Sequence, residues 1–162
     1  MAGQRPLEVI TPPNMLKVKV GGRVGVNMAA IERAEAALRS MAGEFDQWIK
    51  TEVASLEAAR DAVREGGLTG EPRAKLYRGA HDLKGMGGTY GYPIVGRLAS
   101  VLCKLLECEA LTGKDAQRLA EAHVDAISAA VREEIKDGDH PVTQAITTEL
   151  ESRVEAMIAA AG

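Results

Sequence analysis

The sequence predicts an all-α fold, an antiparallel four-helix bundle with an additional N-terminal arm and terminal helices, and three observations carry that expectation. Aromatic residues are only 3% of the chain, a composition that suits helices packed through small and aliphatic side chains rather than a sheet of β-branched and aromatic ones. Apolar residues recur at helical spacing along most of the chain after residue 27. Short loops bearing Gly or Pro separate these stretches, as neighbours in a bundle require. A length of 162 residues allows one sizeable core, hence one principal domain over residues 28–162 with residues 1–27 as an arm.

That arm holds Pro6, Pro12 and Pro13, then the alternating run Lys17-Val18-Lys19-Val20-Gly21-Gly22-Arg23-Val24-Gly25-Val26. Alternation about a Gly-Gly pair predicts a small hairpin or an extended segment. A lone hairpin is marginal in water, so the arm is expected to lie on the domain, bind something or be mobile. From Asn27, a candidate N-cap, the series Ile31, Leu38, Met41, Phe45, Trp48, Ile49, Val53, Leu56 and Val63 predicts helix as far as Glu65, with Gly43 dividing a short helix from a long one. Gly66-Gly67-Leu68-Thr69-Gly70 reads as a loop, and Pro72 is placed to open the second helix. After a turn near Gly91-Tyr92-Pro93, Ile94, Leu98, Val101, Leu102 and Leu105 share one face of a helix over 94–109, which Thr112-Gly113 breaks. A helix over 114–136 carries Leu119, Ala126, Ile127, Ala130 and Val131 on one side and ends at Asp137-Gly138-Asp139. The last helix, 141–160, sets Val142, Ile146, Leu150 and Met157 in one stripe that caps the bundle or mediates self-association.

Charge and cysteine usage exclude several classes of function. With 20 basic and 23 acidic residues the formal charge is -3, so the chain lacks the basic field that nucleic-acid binding usually needs. Cys103 and Cys108 on one helix would point roughly 140° apart, too divergent for a mutual disulfide, and read as buried thiols in a reducing compartment. The opening MAGQRPLEV has no charged segment followed by an apolar core, and no stretch approaches the ~18 apolar residues of a membrane span. The expectation is a cytoplasmic protein that engages neither nucleic acid nor membrane.

Chemistry concentrates in Ala80-His81-Asp82-Leu83-Lys84-Gly85-Met86-Gly87-Gly88-Thr89-Tyr90-Gly91. Setting His81 at zero and advancing about 100° per residue puts Lys84 near ~300°, Gly85 near ~40° and Gly88 near ~340°, all on one face. Leu76, Leu83, Met86, Gly87 and Tyr90 lie toward the opposite side, so the histidine faces outward and the leucines face the core. Each glycine inside a helix costs about 1 kcal/mol relative to alanine, so Gly85, Gly87 and Gly88 together sacrifice about 3 kcal/mol if that stretch is helical. Gly87, facing inward, suits close helix packing. Gly85 and Gly88 flank His81 and clear its imidazole for a macromolecule approaching closely, whereas a small molecule would call for a pocket.

An imidazole titrates near pH ~6.5, so much of it is neutral at about pH 7 and one ring nitrogen is a nucleophile toward phosphorus. Lys84, one turn on, is placed to neutralise a phosphoryl group held there. Such a charge pair at about 4 Å is worth ~1 kcal/mol in water and ~4 kcal/mol at an effective dielectric of about 20, enough to hold the group without trapping it. Tyr77, one turn before His81, is placed to pack beside the ring. Arg78 and Lys75 lie on the same flank, as rim residues for a partner. His123, between Leu119 and Ile127, reads as a hydrogen-bonded core histidine, and His140 before Pro141 as ordinary loop chemistry. No His-Glu-x-x-His motif and no helix-spaced set of histidines and carboxylates suggests a metal site.

This segment resembles the histidine phosphotransfer (HPt) family of two-component phosphorelays, whose signature is His-x-Leu-Lys-Gly, further glycines, and a Leu-Ala helix ending in Leu-Glu. The matching residues are His81, Leu83, Lys84, Gly85, Gly88 and Gly91, then Leu98, Ala99, Leu102, Leu106 and Glu107, and the resemblance covers about residues 40–135. It implies a bundle that presents His81 as phospho-acceptor on an exposed face, with Lys84 as charge neutraliser and Gly85 as clearance beside the ring. The implied partners are a response-regulator receiver domain, which supplies the aspartate, Mg2+ and most catalytic groups, and a hybrid or sensor histidine kinase. No cofactor is then bound by this chain itself. Met86 stands where many members carry a small hydroxyl residue, so a hydrogen bond from that position is not expected here.

Other readings compete. His81-Asp82-Leu83-Lys84 loosely resembles the phospho-acceptor box of dimeric histidine kinases, but the proline commonly found shortly after that box is absent. Glycine-rich nucleotide motifs and the length for an ATP-binding domain are also lacking, so the expectation is a phosphocarrier rather than an enzyme with its own ATP site. A helical adaptor or dimerisation module would use the glycines for packing and leave His81 incidental. The histidine domain of a larger chemotaxis-type kinase is a further alternative, against which Met1 and the closing helix favour a complete small protein.

Overall fold

The computed structural model describes residues 27–136 and 138–162. The expected hairpin or arm therefore lies outside the described residues, as does Asp137. Among the described residues there are five helices and no strand: α1 Met28–Gly66, α2 Gly70–Met86, α3 Pro93–Glu107, α4 Lys114–Arg132 and α5 Pro141–Ala161. None of them is long and apolar enough to cross a membrane. The chain divides into two compact units, Met1–Arg39 and Ser40–Gly162. The described part of the first is Asn27 and the opening turns of α1, where the Asn27 side-chain oxygen accepts from the Ala30 N–H at 3.2 Å, as an N-cap should.

Two expectations about α1 are corrected. Gly43 does not divide it, because one glycine costs only about 1 kcal/mol and the turns on either side propagate through it. Its apolar series is also only partly buried. Ile49, Val53, Leu56, Ala59 and Val63 enter the core, while Met28, Ile31, Leu38 and Met41 are exposed. Helical spacing marks a face that can be covered and does not supply the cover.

In the second unit, cross-helix contacts fix the helix directions. Arg60 meets Asp125 and Arg64 meets Glu121, so α1 ascends as α4 descends. Leu56 lies over Gly79, where an added Cβ would stand 3.0 Å from its Cδ1, and the Tyr92 hydroxyl beyond the end of α2 donates to Asp46 at 3.3 Å. Arg73 near the start of α2 donates to the Leu106 carbonyl near the end of α3, and Gly87 just past the end of α2 abuts Gly96 near the start of α3. The α1–α2, α2–α3 and α1–α4 pairs therefore run antiparallel. The most apolar helix is α3, with Ile94, Val95, Leu98, Ala99, Val101, Leu102, Cys103, Leu105 and Leu106 all buried, and it packs on α2, α4 and α5.

The remaining differences from the sequence reading have local causes. Helix α2 starts at Gly70, so Pro72 sits inside its first turn, where its missing N–H costs nothing. Helix α4 stops at Arg132 rather than near 136, because Glu134 turns left-handed (φ 51°) and Ile135 N–H bonds back to the Ala130 carbonyl. On α5 the buried residues are Thr143, Thr147, Leu150 and Val154, whereas Val142 and Ile146 are exposed. A threonine can be buried there because its hydroxyl finds a partner on its own helix: Thr147 donates to the Thr143 carbonyl at 2.8 Å.

Candidate functional site

Helix α2 is anchored by Leu76, Ala80 and Leu83, which are fully buried at helical spacing. Their burial dictates what the other side shows: His81, Asp82, Lys84 and Gly85 are all exposed. Glu71 in the first turn and Lys84 in the last both complement the helix dipole. A shallow recess of about 230 Å³ opens beside His81, lined by Tyr77, Arg78, His81 and Asp82. The Tyr77 ring stands 6.0 Å from the His81 ring, centroid to centroid, with the planes tilted by 34°.

The recess is held from α3. The Tyr77 hydroxyl donates to Glu107 Oε1 at 3.0 Å, and that bond, with partial burial, raises the phenol above its usual range. Arg78 forms an exposed ion pair with Glu71 at 3.0 Å, a contact worth roughly 0–1 kcal/mol that a stronger anion could displace. Lys75 is exposed but lines a different cavity, of about 440 Å³, between α1 and α2. Met86 is half-buried.

The glycines play separate parts. Gly85 is helical and exposed, with nothing within 4 Å of where a Cβ would stand. Gly87 caps α2, and a Cβ on it would lie 2.7 Å from the Gly96 backbone nitrogen, so close helix packing requires it. Gly88 falls in the turn after α2 rather than on its face, which corrects its helical-wheel placement and its share of the helix cost. Like Gly85 it is exposed, with nothing within 4 Å of an added Cβ. The helix ends where it does because Gly91, at φ 84°, reverses the chain and the Tyr92 N–H bonds to the Gly87 carbonyl at 2.8 Å.

The other candidate groups are accounted for by packing. His123 is fully buried and its Nδ1 lies 2.7 Å from the Leu119 carbonyl, the core histidine its spacing predicts. Burial pulls its imidazole below the usual range, with that hydrogen bond opposing. His140 is exposed at the start of α5. Cys103 is buried, its thiol pushed up to about 11 chiefly by desolvation, and Cys108 is half-buried; both are free. A thiol held protonated in this way is a poor nucleophile. Among the described residues no group of three or more His, Cys, Asp or Glu is arranged to hold a metal ion.

Sequence reasoning missed Arg73 altogether. Its guanidinium donates to the carbonyls of Leu68, Leu106, Cys108 and Leu111, closing the end of α3 and the loops beside it. The only sequence signal was its position four residues before Tyr77 and eight before His81, on one helical stripe. Gly79 and Gly96, where helices approach closely, were also passed over.

A family model described as Hpt domain matches residues 30–160. No curated protein and no solved structure gives a match.

Proposed function

Because the chain belongs to the Hpt domain family, we propose that it carries a phosphoryl group on His81 to or from the aspartate of a receiver domain. Members of this family are histidine-containing phosphotransfer domains of two-component systems, phosphocarriers rather than catalytic enzymes, and they interact with response-regulator receiver domains and with kinases. The observation that carries the assignment to His81 is its exposure on α2 beside Gly85, where no atom lies within 4 Å of the place an added methyl would take. A bulky partner surface can therefore reach the imidazole. His123 is sealed in the core.

In this reading an unprotonated ring nitrogen of His81 attacks the phosphorus of the partner's aspartyl phosphate. A P–N bond forms, the P–O bond to aspartate breaks, and the carboxylate leaves with the electron pair. The reverse step returns the group to a receiver. Lys84 offsets the charge of the phosphoryl group one turn along, Gly85 and Gly88 give clearance, and Tyr77 and Arg78 form the rim that the partner meets. The aspartate and Mg2+ come with the receiver, so this chain needs only position and charge and binds no cofactor of its own. Phosphate enters the relay from a hybrid or sensor histidine kinase, in the cytoplasm, and the chain has no ATP site.

The test is incubation of wild type and His81→Gln with phosphorylated receiver domains and Mg2+, scoring acid-labile phosphate on this chain. Label on wild type alone is expected, with the two proteins melting together because His81 is exposed. Absence of label from every receiver tried would sink the assignment in favour of an adaptor.

A further inference from the structure

Arg73, Tyr77 and His81 occupy positions i, i+4 and i+8 of α2, so they form one stripe that turns by only about 40° per step. That stripe runs along the C-terminal end of α3. Arg73 Nη2 donates to the carbonyls of Leu106 and Cys108, each at 2.7 Å, and Nε reaches Leu106 again at 3.1 Å. Nη1 extends to the carbonyls of Leu111 at 3.0 Å and Leu68 at 3.3 Å. The Leu106 carbonyl, in the last turn of α3, has no partner within its own helix, and a planar guanidinium answers it together with the loop carbonyls beside it from a fixed position.

Glu107 lies between the two carbonyls that Arg73 holds most tightly. Its backbone is therefore pinned on both sides, and its carboxylate is where the Tyr77 hydroxyl ends, at 3.0 Å. The Tyr77 ring in turn is a wall of the recess into which His81 opens, 6.0 Å from the imidazole. Tyr77 and Arg78 also line a larger groove of about 540 Å³ that includes Arg73, Leu106 and Glu107. One face thus carries, in order, a backbone clamp, a hydrogen-bonded phenol and the histidine.

We infer that Arg73, Glu107 and Tyr77 are positioning residues for His81: Arg73 fixes the end of α3, Glu107 fixes the Tyr77 ring, and that ring sets the orientation of the imidazole. The proposal deepens the phosphocarrier reading and rests on it only for the rate of transfer, since the orientation of the ring is a property of the free protein. A nucleophile held in one orientation gains from every encounter with its partner, and a loosened one loses on the order of tenfold or more.

The experiment uses the full chain in four forms: wild type, Tyr77→Phe, Glu107→Ala and Glu107→Gln. Tyr77→Phe removes one hydroxyl and keeps the ring, and Glu107→Gln keeps an oxygen acceptor. Ring proton and carbon resonances of His81 are followed by NMR, with melting temperature as the fold control and label from a phosphorylated receiver as the functional readout. Tyr77→Phe and Glu107→Ala are expected to shift the His81 ring signals and slow labelling on the order of tenfold, while Glu107→Gln stays close to wild type. His81 signals unmoved in Tyr77→Phe and Glu107→Ala would overturn the inference even if wild type takes label. Equal displacement in Glu107→Gln and Glu107→Ala would also overturn it, because the hydrogen bond would then not be the link. Shifted signals with no label on wild type would uphold the positioning chain and reject the phosphocarrier reading.

Discussion

Gly85 and Gly87 stand two residues apart and should answer the same added methyl in opposite ways. Gly85 is inside α2 with open space around it, so Gly85→Ala removes the helix cost of glycine and should stabilise the fold by about 0.5–1 kcal/mol in urea unfolding. The same methyl stands one turn from His81, and phosphate transfer from a receiver should slow as stability rises. A variant that is both more stable and fully active would remove clearance as the reason for this glycine. Gly87→Ala places a Cβ against the Gly96 backbone, which cannot yield as a flexible side chain would, and should cost roughly 1–3 kcal/mol. His123 makes a separate prediction. Its folded-state imidazole is held below the usual range by burial, so between that depressed value and the unfolded value near ~6.5 the unfolded chain binds more protons. The stability it contributes is full above about pH 6.5 and declines as pH falls below it. Urea midpoints compared at about pH 7.5 and 5.5 should drop for wild type and drop less for His123→Leu; parallel drops would mean that another group carries the dependence.

At the scale of the helix, two leucines of α1 separate what a pattern says from what packing does. Leu38 and Leu56 belong to the same apolar series, yet Leu38 is 65% exposed and Leu56 is 0% exposed. Leu56→Ala should cost about 2–5 kcal/mol and Leu38→Ala should stay within about 0.5 kcal/mol, both measured by denaturant unfolding. Similar losses at the two sites would mean that Leu38 is covered in solution. The same distinction explains how far each helix was legible. The helices were readable because Gly67, Gly91 and Pro93 punctuate the chain where their backbone chemistry requires. The exposed face of α2 was readable because Leu76, Ala80 and Leu83 commit the opposite face to the core. The buried face of α5 was not, because burying Thr147 depends on a hydrogen bond within the helix that hydrophobicity does not register. Arg73 escaped because its partners are backbone carbonyls, which have no signature in sequence, and Gly88 because the turn that removes it from the helix is set by Gly91.

For the molecule as a whole, the distribution of the core bears on how much of the chain the site needs. Every buried apolar residue among those described falls from Ile49 to Val154, and the residues proposed to carry or position the phospho-acceptor, from Arg73 to Glu107, lie inside that span. The links that join the first helix of the bundle to the last but one, Arg60 with Asp125 and Arg64 with Glu121, also lie beyond residue 39. They are partly exposed, so they set register more than they add stability. The compact unit Ser40–Gly162 thus contains the described core, its cross-links and the candidate site. A chain beginning at Ser40 should therefore melt within about 4 °C of the full protein, the shift that roughly 1 kcal/mol produces in a domain of this size. It should also take label from the same phosphorylated receivers. A much lower melting temperature would show that Met1–Arg39 contributes to the stability of the bundle. Normal melting with lost labelling would show instead that the segment serves partner recognition, and the groups that bring a receiver to His81 would have to be sought there as well as on α2.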